Sequence, residues 1–127
     1  MLLSFMSENK AKSAVEILKQ YLGGERYFID LDIPDGEDFS GANLEGATFE
    51  KCWLSLVDFS KARLKDVVFR DCNVKCSNFH SADLRNSNFY GSAVEAILLE
   101  EANLEGASFE GAWLYGCELE KGEMPFA

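Results

Sequence analysis

The sequence predicts an all-β solenoid, in which short strands wind around a common axis and stack coil on coil. Three observations predict it: a large apolar residue recurs at every fifth position, a small or β-branched residue lies two positions before each of these, and like residues recur twenty positions apart. A period of five fits neither the 3.6-residue period of an α-helix nor the two-residue period of a strand. Because one pentapeptide cannot bury its own apolar face, we expect stacked coils to supply the core.

The large apolar positions, which we call the centres, continue without a break from the middle of the chain almost to its end. All seventeen are Phe, Leu or Val: Phe39, Leu44, Phe49, Leu54, Phe59, Leu64, Phe69, Val74, Phe79, Leu84, Phe89, Val94, Leu99, Leu104, Phe109, Leu114 and Leu119. The residue two before each centre is Ala, Ser, Cys, Val or Ile from Ala42 to Cys117. We expect both positions to point inward and the other three to face water, with Asn and Asp suited to the turns.

A coil of twenty residues places like residues on like. One stack then holds Leu44, Leu64, Leu84 and Leu104, and a second holds Phe49, Phe69, Phe89 and Phe109. A third holds Phe39, Phe59 and Phe79, followed by Leu99 and Leu119, and the fourth holds Leu54, Val74, Val94 and Leu114. This register predicts two phenylalanine stacks on opposite sides of the axis.

Three segments match the pattern A(D/N)LXX outright, namely residues 42–46, 82–86 and 102–106. In these segments and in its uninterrupted period the sequence resembles the pentapeptide-repeat family, over roughly residues 37–121. The resemblance implies a right-handed quadrilateral β-helix with four pentapeptides per coil, which gives about four coils here. It also implies little about activity, because many members of the family have none assigned. Some members are acidic dimeric rods that mimic duplex DNA and protect DNA gyrase from quinolones.

The ends of the chain depart from the repeat, which divides it into three parts. We expect residues 1–36 to form an N-terminal α-helix and a first strand that cap the solenoid, residues 37–121 to form the repeats, and residues 122–127 to form a tail. The predicted N-cap of the helix is Ser7, and Gly23 and Gly24 end it. Its predicted apolar stripe is Ala11, Ala14, Val15, Leu18 and Leu22, followed by a strand over residues 29–33 and a turn over residues 34–36.

Charge and composition restrict the class of protein. The net charge of −10 argues against direct nucleic-acid binding, which normally requires a basic surface. No apolar run is long enough to cross a membrane, and the start of the chain lacks the basic region of a signal peptide. We therefore expect a cytoplasmic protein whose four cysteines are reduced.

One stretch, CNVKCSNFH, offers metal-ligating side chains in Cys72, Cys76 and His80. In the five-residue register these three side chains point in different directions, so they cannot close a tetrahedral site. We expect Cys72 and Cys117 to point inward and Cys76 to be exposed. Cys52 and Cys72 lie one coil apart, within the range that a disulfide permits, and the sequence does not decide whether they are ever oxidised. No catalytic motif is present, so we expect neither an enzyme nor a cofactor.

Exposed aromatic residues favour a role in binding. The side of the coil centred on Leu54 and Leu114 carries outward apolar residues at Trp53, Leu56, Ala93, Trp113 and Tyr115. Such a patch on an acidic protein is typical of an interaction surface. We predict a non-catalytic protein–protein interaction module, either a monomer or a homodimer through its C-terminal end or the Trp53/Trp113 side. The alternative is an acidic DNA mimic that acts on DNA gyrase or another topoisomerase, although basic residues interrupt its acidic surface.

Overall fold

The computed structural model describes residues 10–126. In this range it has one helix, α1 (Ala14–Leu22), and five strands: β1 (Tyr27–Ile29), β2 (Thr48–Glu50), β3 (Val68–Arg70), β4 (Trp113–Leu114) and β5 (Cys117–Glu118). Between the strands, isolated parallel bridges alternate with tight turns. The predicted N-cap Ser7 lies outside the described residues.

Parallel pairing joins residues twenty positions apart, as the sequence predicts. Strand β2 pairs with β3 so that Phe49 lies beside Phe69, and bridges continue the same spacing from Asp58 to Asn78 and on to Leu98. The first rung is offset by one residue, because Phe28 of β1 pairs with Phe49. The chain therefore forms a solenoid of stacked pentapeptides.

The phenylalanine centres fill the axis of the solenoid. Rings within one stack lie face to face, with centroids 5.5 Å apart for Phe49 and Phe69 and 5.2 Å apart for Phe59 and Phe79. The two stacks meet edge to face across the axis, as Phe59 and Phe69 do at 5.8 Å. Such pairs contribute about 0.5–1.5 kcal/mol each beyond the burial of their area.

Each corner of the coil is a turn that begins at a centre. In a representative turn, the N–H of Ala62 donates to the carbonyl oxygen of Phe59 at 3.1 Å. The residue two after the centre has a positive φ, which is 58° at Lys61 and 60° at Cys76. The side chain at this position points away from the core, and Cys76 is exposed as predicted.

Helix α1 begins at a capping box, in which the Ser13 hydroxyl accepts from the N–H of Glu16 and the Glu16 carboxylate accepts from the N–H of Ser13. Its buried residues are Ala14, Ile17 and Tyr21, and Leu18 packs beside them. The predicted stripe is therefore wrong at three residues: Ala11 precedes the helix and bridges to Asp32, Val15 is 65% exposed, and Leu22 is 86% exposed.

Two hydrogen bonds attach the helix to the first coil. The N–H of Ala14 donates to the Glu37 carboxylate at 2.6 Å, and the Tyr21 hydroxyl donates to the carbonyl oxygen of Glu45 at 2.7 Å. The first strand lies at Tyr27–Ile29 and not over residues 29–33, where Ile29 ends β1 and Asp32 forms isolated bridges. The predicted turn is present, and Gly36 has a φ of 81° in it.

The regular coils end at Leu114, because the chain then reverses. Tyr115 and Gly116 have φ values of 50° and 78°, which is the conformation of a two-residue hairpin turn, and β5 pairs antiparallel with β4. The N–H of Leu119 consequently donates to the carbonyl oxygen of Ala112 at 2.8 Å. The prediction that Leu119 stacks on Leu99 in the coil register is wrong.

The same reversal changes the surroundings of the last cysteine. Cys117 lies in β5 and is exposed, so the prediction that its side chain points inward is wrong. The five-residue period continues in the sequence through this segment, but a hairpin turn with two positive φ values replaces the corner that the period predicts.

Candidate functional site

The residue before each centre has a local structural role. It is Asn or Asp at eight of the seventeen centres. There its side-chain oxygen accepts from the N–H two residues later, as Asn73 does from Lys75 and Asn78 does from His80, both at 2.9 Å. This Asx bond closes the loop of chain around the centre. The same bond forms at Asp38, Asn43, Asp58, Asp83, Asn88 and Asn103.

Three residues of the predicted patch occupy this position without being able to form the bond. Trp53, Ala93 and Trp113 form one column with Asn73 between them, since bridges join Trp53 to Asn73, Asn73 to Ala93, and Ala93 to Trp113. The tryptophans are three rungs apart, about 14 Å at the usual strand spacing. Their exposed fractions are 52% for Trp53 and 43% for Trp113. A locally unfavourable residue on a surface is typical of a functional position.

A shallow cavity of about 510 Å³ lies along this column, and we call it the tryptophan groove. Trp113 lies at one end of it, and Asn73 and Ala93 lie between Trp113 and Trp53. Asp32, which bridges to Trp53, extends the groove beyond Trp53. Leu56 and Tyr115, the other predicted patch residues, are exposed but do not line the groove. Leu56 lies at the corner that follows Leu54, and Tyr115 lies in the hairpin turn that follows Leu114.

Charged residues that sequence reasoning missed also line the groove. They are Lys10, Asp30, Asp32, Lys51 and Asp71. Asp30, Lys51 and Asp71 each directly follow a strand and have the positive φ of a corner residue. The signal was available in the sequence, because the corner of one side lies next to the outward column of the following side.

The four cysteines are free and divide into two pairs. Cys52 and Cys72 are buried, and the Cys72 thiol donates to the carbonyl oxygen of Phe49 at 3.2 Å. The neighbouring Cys52 thiol and burial hold the pKa of Cys72 well above its ordinary value. Cys76 and Cys117 are exposed. Across residues 10–126, no group of three or more His, Cys, Asp or Glu side chains is arranged to hold a metal ion.

Basic side chains neutralise part of the acidic surface. Arg63 pairs with Glu45 and Arg85 pairs with Asp83, each at 2.7 Å. The hydrogen bond from Arg85 holds the pKa of Asp83 below its ordinary value. The helix in the described part of the chain is too short and too polar to cross a membrane.

The fold and its register define a solenoid of tandem pentapeptides, and comparison with known proteins agrees. The sequence pattern described as "Pentapeptide repeat region" matches residues 35–109, which is more than half of the chain. The chain therefore belongs to the pentapeptide repeat family. No curated protein sequence matches it.

Solved structures of pentapeptide repeat proteins resemble the chain. A pentapeptide repeat protein from the cyanobacterium Cyanothece 51142 is 25% identical, with a TM-score of 0.63, over 68% of this chain and 58% of that one. The present chain therefore corresponds to less than two thirds of that relative. A pentapeptide repeat protein from Nostoc Pcc 7120 is 24% identical, with a TM-score of 0.48, over 80% of this chain and 79% of that one. QnrB1, a plasmid-mediated fluoroquinolone resistance protein, is 19% identical, with a TM-score of 0.39, over 71% and 66%.

Proposed function

We propose that this chain is a non-catalytic, cytoplasmic interaction module that binds a partner protein in the tryptophan groove. Its scaffold is a right-handed four-sided β-helix of about four coils, with helix α1 covering the N-terminal end. The observation that carries the proposal is the pair Trp53 and Trp113, two half-exposed tryptophans that stand where the fold favours Asn or Asp.

The two tryptophans are suited to dominate the binding energy. Tryptophan is enriched among the residues whose truncation weakens protein interfaces most. The spacing of about 14 Å between them leaves room for one helix of a partner, whose diameter with side chains is about 10–12 Å. The side chains of Asn73 and Ala93 are small enough to form the floor under such a segment.

The backbone holds the groove in position before a partner arrives. The N–H of Trp53 donates to the carbonyl oxygen of Leu31 at 2.8 Å, and its carbonyl oxygen accepts from the N–H of Ile33 at 3.0 Å. Trp113 is fixed in the same way, since its N–H donates to Ser92 at 2.8 Å and its carbonyl oxygen accepts from Val94 at 3.0 Å. A rigid backbone lowers the entropic cost of binding.

Affinity capture with three baits tests the proposal. The wild-type chain should retain a partner that the Trp53→Asn/Trp113→Asn variant loses. Asn is the replacement because the same column carries it at Asn73, so the fold tolerates it. Tyr90→Asn is the matched control, since Tyr90 is also an exposed aromatic residue (53%) but lies outside the groove. Equal capture by all three baits would refute the proposal. If the captured protein is a second copy of the chain, the double variant should instead have half the molecular mass in light scattering.

DNA mimicry is the second candidate, and the net charge of −10 favours it. The ion pairs of Arg63 and Arg85 on the surface oppose it, because a mimic of duplex DNA needs uninterrupted negative charge. A supercoiling assay with DNA gyrase, with and without a quinolone, separates the two functions. We expect neither inhibition nor protection; a concentration-dependent effect of either kind would favour the mimic.

A further inference from the structure

The last coil presents an unpaired backbone edge. In the coils below it, each centre donates its N–H to the coil above, as Phe79 does to Leu98 at 2.8 Å. Within residues 10–126, the N–H groups of Leu99 and Glu101 and the carbonyl oxygen of Ile97 have no backbone partner of this kind. The hairpin of β4 and β5 forms backbone hydrogen bonds with the last coil only near Gly111 and Ala112, so it leaves the Leu99 side open. An open edge can accept a further strand.

A cavity of about 320 Å³ lies beside this edge. It is lined by Ile97, Leu98, Leu99, Glu100 and Phe126, so that four of its five side chains are apolar. Leu98 and Phe126 are 48% and 56% exposed. The cavity is thus an apolar recess that one side chain of an added strand could enter.

Leu98 departs from its own column in the same way as the tryptophans do from theirs. Bridges join Asp38 to Asp58, Asp58 to Asn78, and Asn78 to Leu98. The three polar residues each form the Asx bond, at 2.8–2.9 Å. The Leu98 side chain cannot accept this hydrogen bond and lies at an exposed position, so the local fold does not explain a leucine there.

The charged side chains of the last coil are all acidic. The sequence contains no Lys or Arg between Arg85 and Lys121, whereas the last coil carries Glu95, Glu100, Glu101, Glu105 and Glu110. A second copy of the chain would bring the same negative charge to the same edge, which disfavours end-to-end pairing. A basic segment complements the charge.

We propose that the side of the last coil centred on Leu99 binds a short, extended, basic segment of a partner protein. The segment pairs with the Leu99 and Glu101 N–H groups and the Ile97 carbonyl oxygen, places one apolar side chain in the cavity beside Leu98, and directs basic residues toward Glu100 and Glu101. The sides of the coil are three residues long where strands form, as in β2 and β3, so the segment pairs along one side only. This site is separate from the tryptophan groove and does not depend on it.

Fluorescence anisotropy with the labelled peptide GKLKLKG tests the proposal on the full chain. We expect saturable binding that weakens with added salt and is lost for GELELEG. A peptide of the same sequence with N-methyl groups on alternate amides should bind at least about tenfold more weakly, because it cannot pair with the edge. Equal affinity of the methylated peptide would mean attraction by charge alone and would overturn the proposal.

Variants locate the binding to this end. Leu98→Asn, which places at residue 98 the side chain found at Asn78, should weaken GKLKLKG by about tenfold or more. Glu100→Lys/Glu101→Lys should weaken it similarly, whereas the equal charge change Asp35→Lys/Asp66→Lys should have a much smaller effect. Trp53→Asn/Trp113→Asn should leave it unchanged. Failure to bind up to about 1 mM peptide would overturn the proposal. A stable dimer that Leu98→Asn dissociates and Trp53→Asn/Trp113→Asn does not would also overturn it.

Discussion

The hydroxyl of Ser77 accepts a hydrogen bond from the backbone N–H of Val57 at 3.2 Å, across the boundary between two coils. The same hydroxyl donates to the carbonyl oxygen of Leu54 at 2.5 Å. Elsewhere, as between Ala62 and Phe59, these two backbone groups bond to each other and close the turn. The serine of the next coil therefore replaces a turn hydrogen bond with two bonds of its own.

A second serine has the same role, and a third does not. Ser92 accepts from the N–H of Cys72 at 2.9 Å and donates to the carbonyl oxygen of Phe69 at 2.6 Å. Ser87 is equally buried, but the turn below it is closed by the N–H of Val67, and its hydroxyl has no partner. Serines at equivalent inner positions thus differ in what they contribute.

This difference predicts the effect of removing each hydroxyl. Ser77→Ala should lower the free energy of unfolding by about 1–3 kcal/mol, because two buried backbone groups lose their partner. Ser87→Ala should change it by less than about 0.5 kcal/mol or raise it, since no bond is lost. Urea denaturation of the two variants measures both values. A loss at Ser87 as large as that at Ser77 would contradict the role given to the hydroxyl.

The buried face of helix α1 predicts a second pair of effects. Ile17→Ala should destabilise the chain by about 2–5 kcal/mol, because Ile17 is fully buried against the first coil. Val15→Ala, on the exposed face of the same helix, should have little effect. Thermal unfolding followed by circular dichroism compares them. Equal losses at the two positions would show that the helix packs through a different face.

The exposure of the cysteines predicts how many thiols react. In the native chain Cys76 and Cys117 should react rapidly with a thiol reagent, whereas Cys52 and Cys72 should react only after unfolding. Burial and the raised pKa of Cys72 both disfavour its reactive thiolate. Titration of Cys76→Ser and Cys117→Ser should each show one rapid thiol fewer. A single rapid thiol in the wild type would indicate that Cys117 is buried, as the repeat pattern alone predicts.

The Asp83–Arg85 pair predicts a pH-dependent contribution to stability. Arg85 donates to both carboxylate oxygens of Asp83, at 2.8 and 2.7 Å, and lowers its pKa. Because the folded-state pKa lies below the unfolded one, this stability is present at neutral pH and is lost as the pH falls through the folded-state value. Arg85→Met should therefore lower the stability slightly at neutral pH, because the pair is exposed, and should have no effect in strong acid. A cost that does not change between the two conditions would mean that the side chain contributes through packing alone.

Much of the fold could be predicted because the five-residue period repeats the same pattern of inward and outward positions on every side of the coil. The centres and the inner small positions are buried through most of the coils, and the twenty-residue pairing follows from them. The period could not show where the coil stops. The reversal at Tyr115 and Gly116 depends on two positive φ values in a segment that still satisfies the period.

The candidate site was predictable in part for a related reason. Trp53 and Trp113 are visible in the sequence as exposed apolar residues, and the register places them in one column. Lys51 and Asp71 were missed although each lies two residues before a column residue, Trp53 or Asn73, at the preceding corner. Lys10 was missed because it lies before helix α1 and meets the column only in three dimensions. The buried face of helix α1 was predicted wrongly for another reason. Helix α1 has its N-cap at Ser13, six residues after the predicted N-cap Ser7.

The most direct test of the account is the affinity of the captured partner for the wild-type chain and for Trp53→Asn/Trp113→Asn, measured by calorimetry. If the tryptophans carry the binding, the double variant should lose at least about 2 kcal/mol, which is about thirtyfold in the dissociation constant. Tyr90→Asn should bind like the wild type. A folded double variant that binds the partner within about twofold of the wild type would show that the tryptophan groove is not the binding surface.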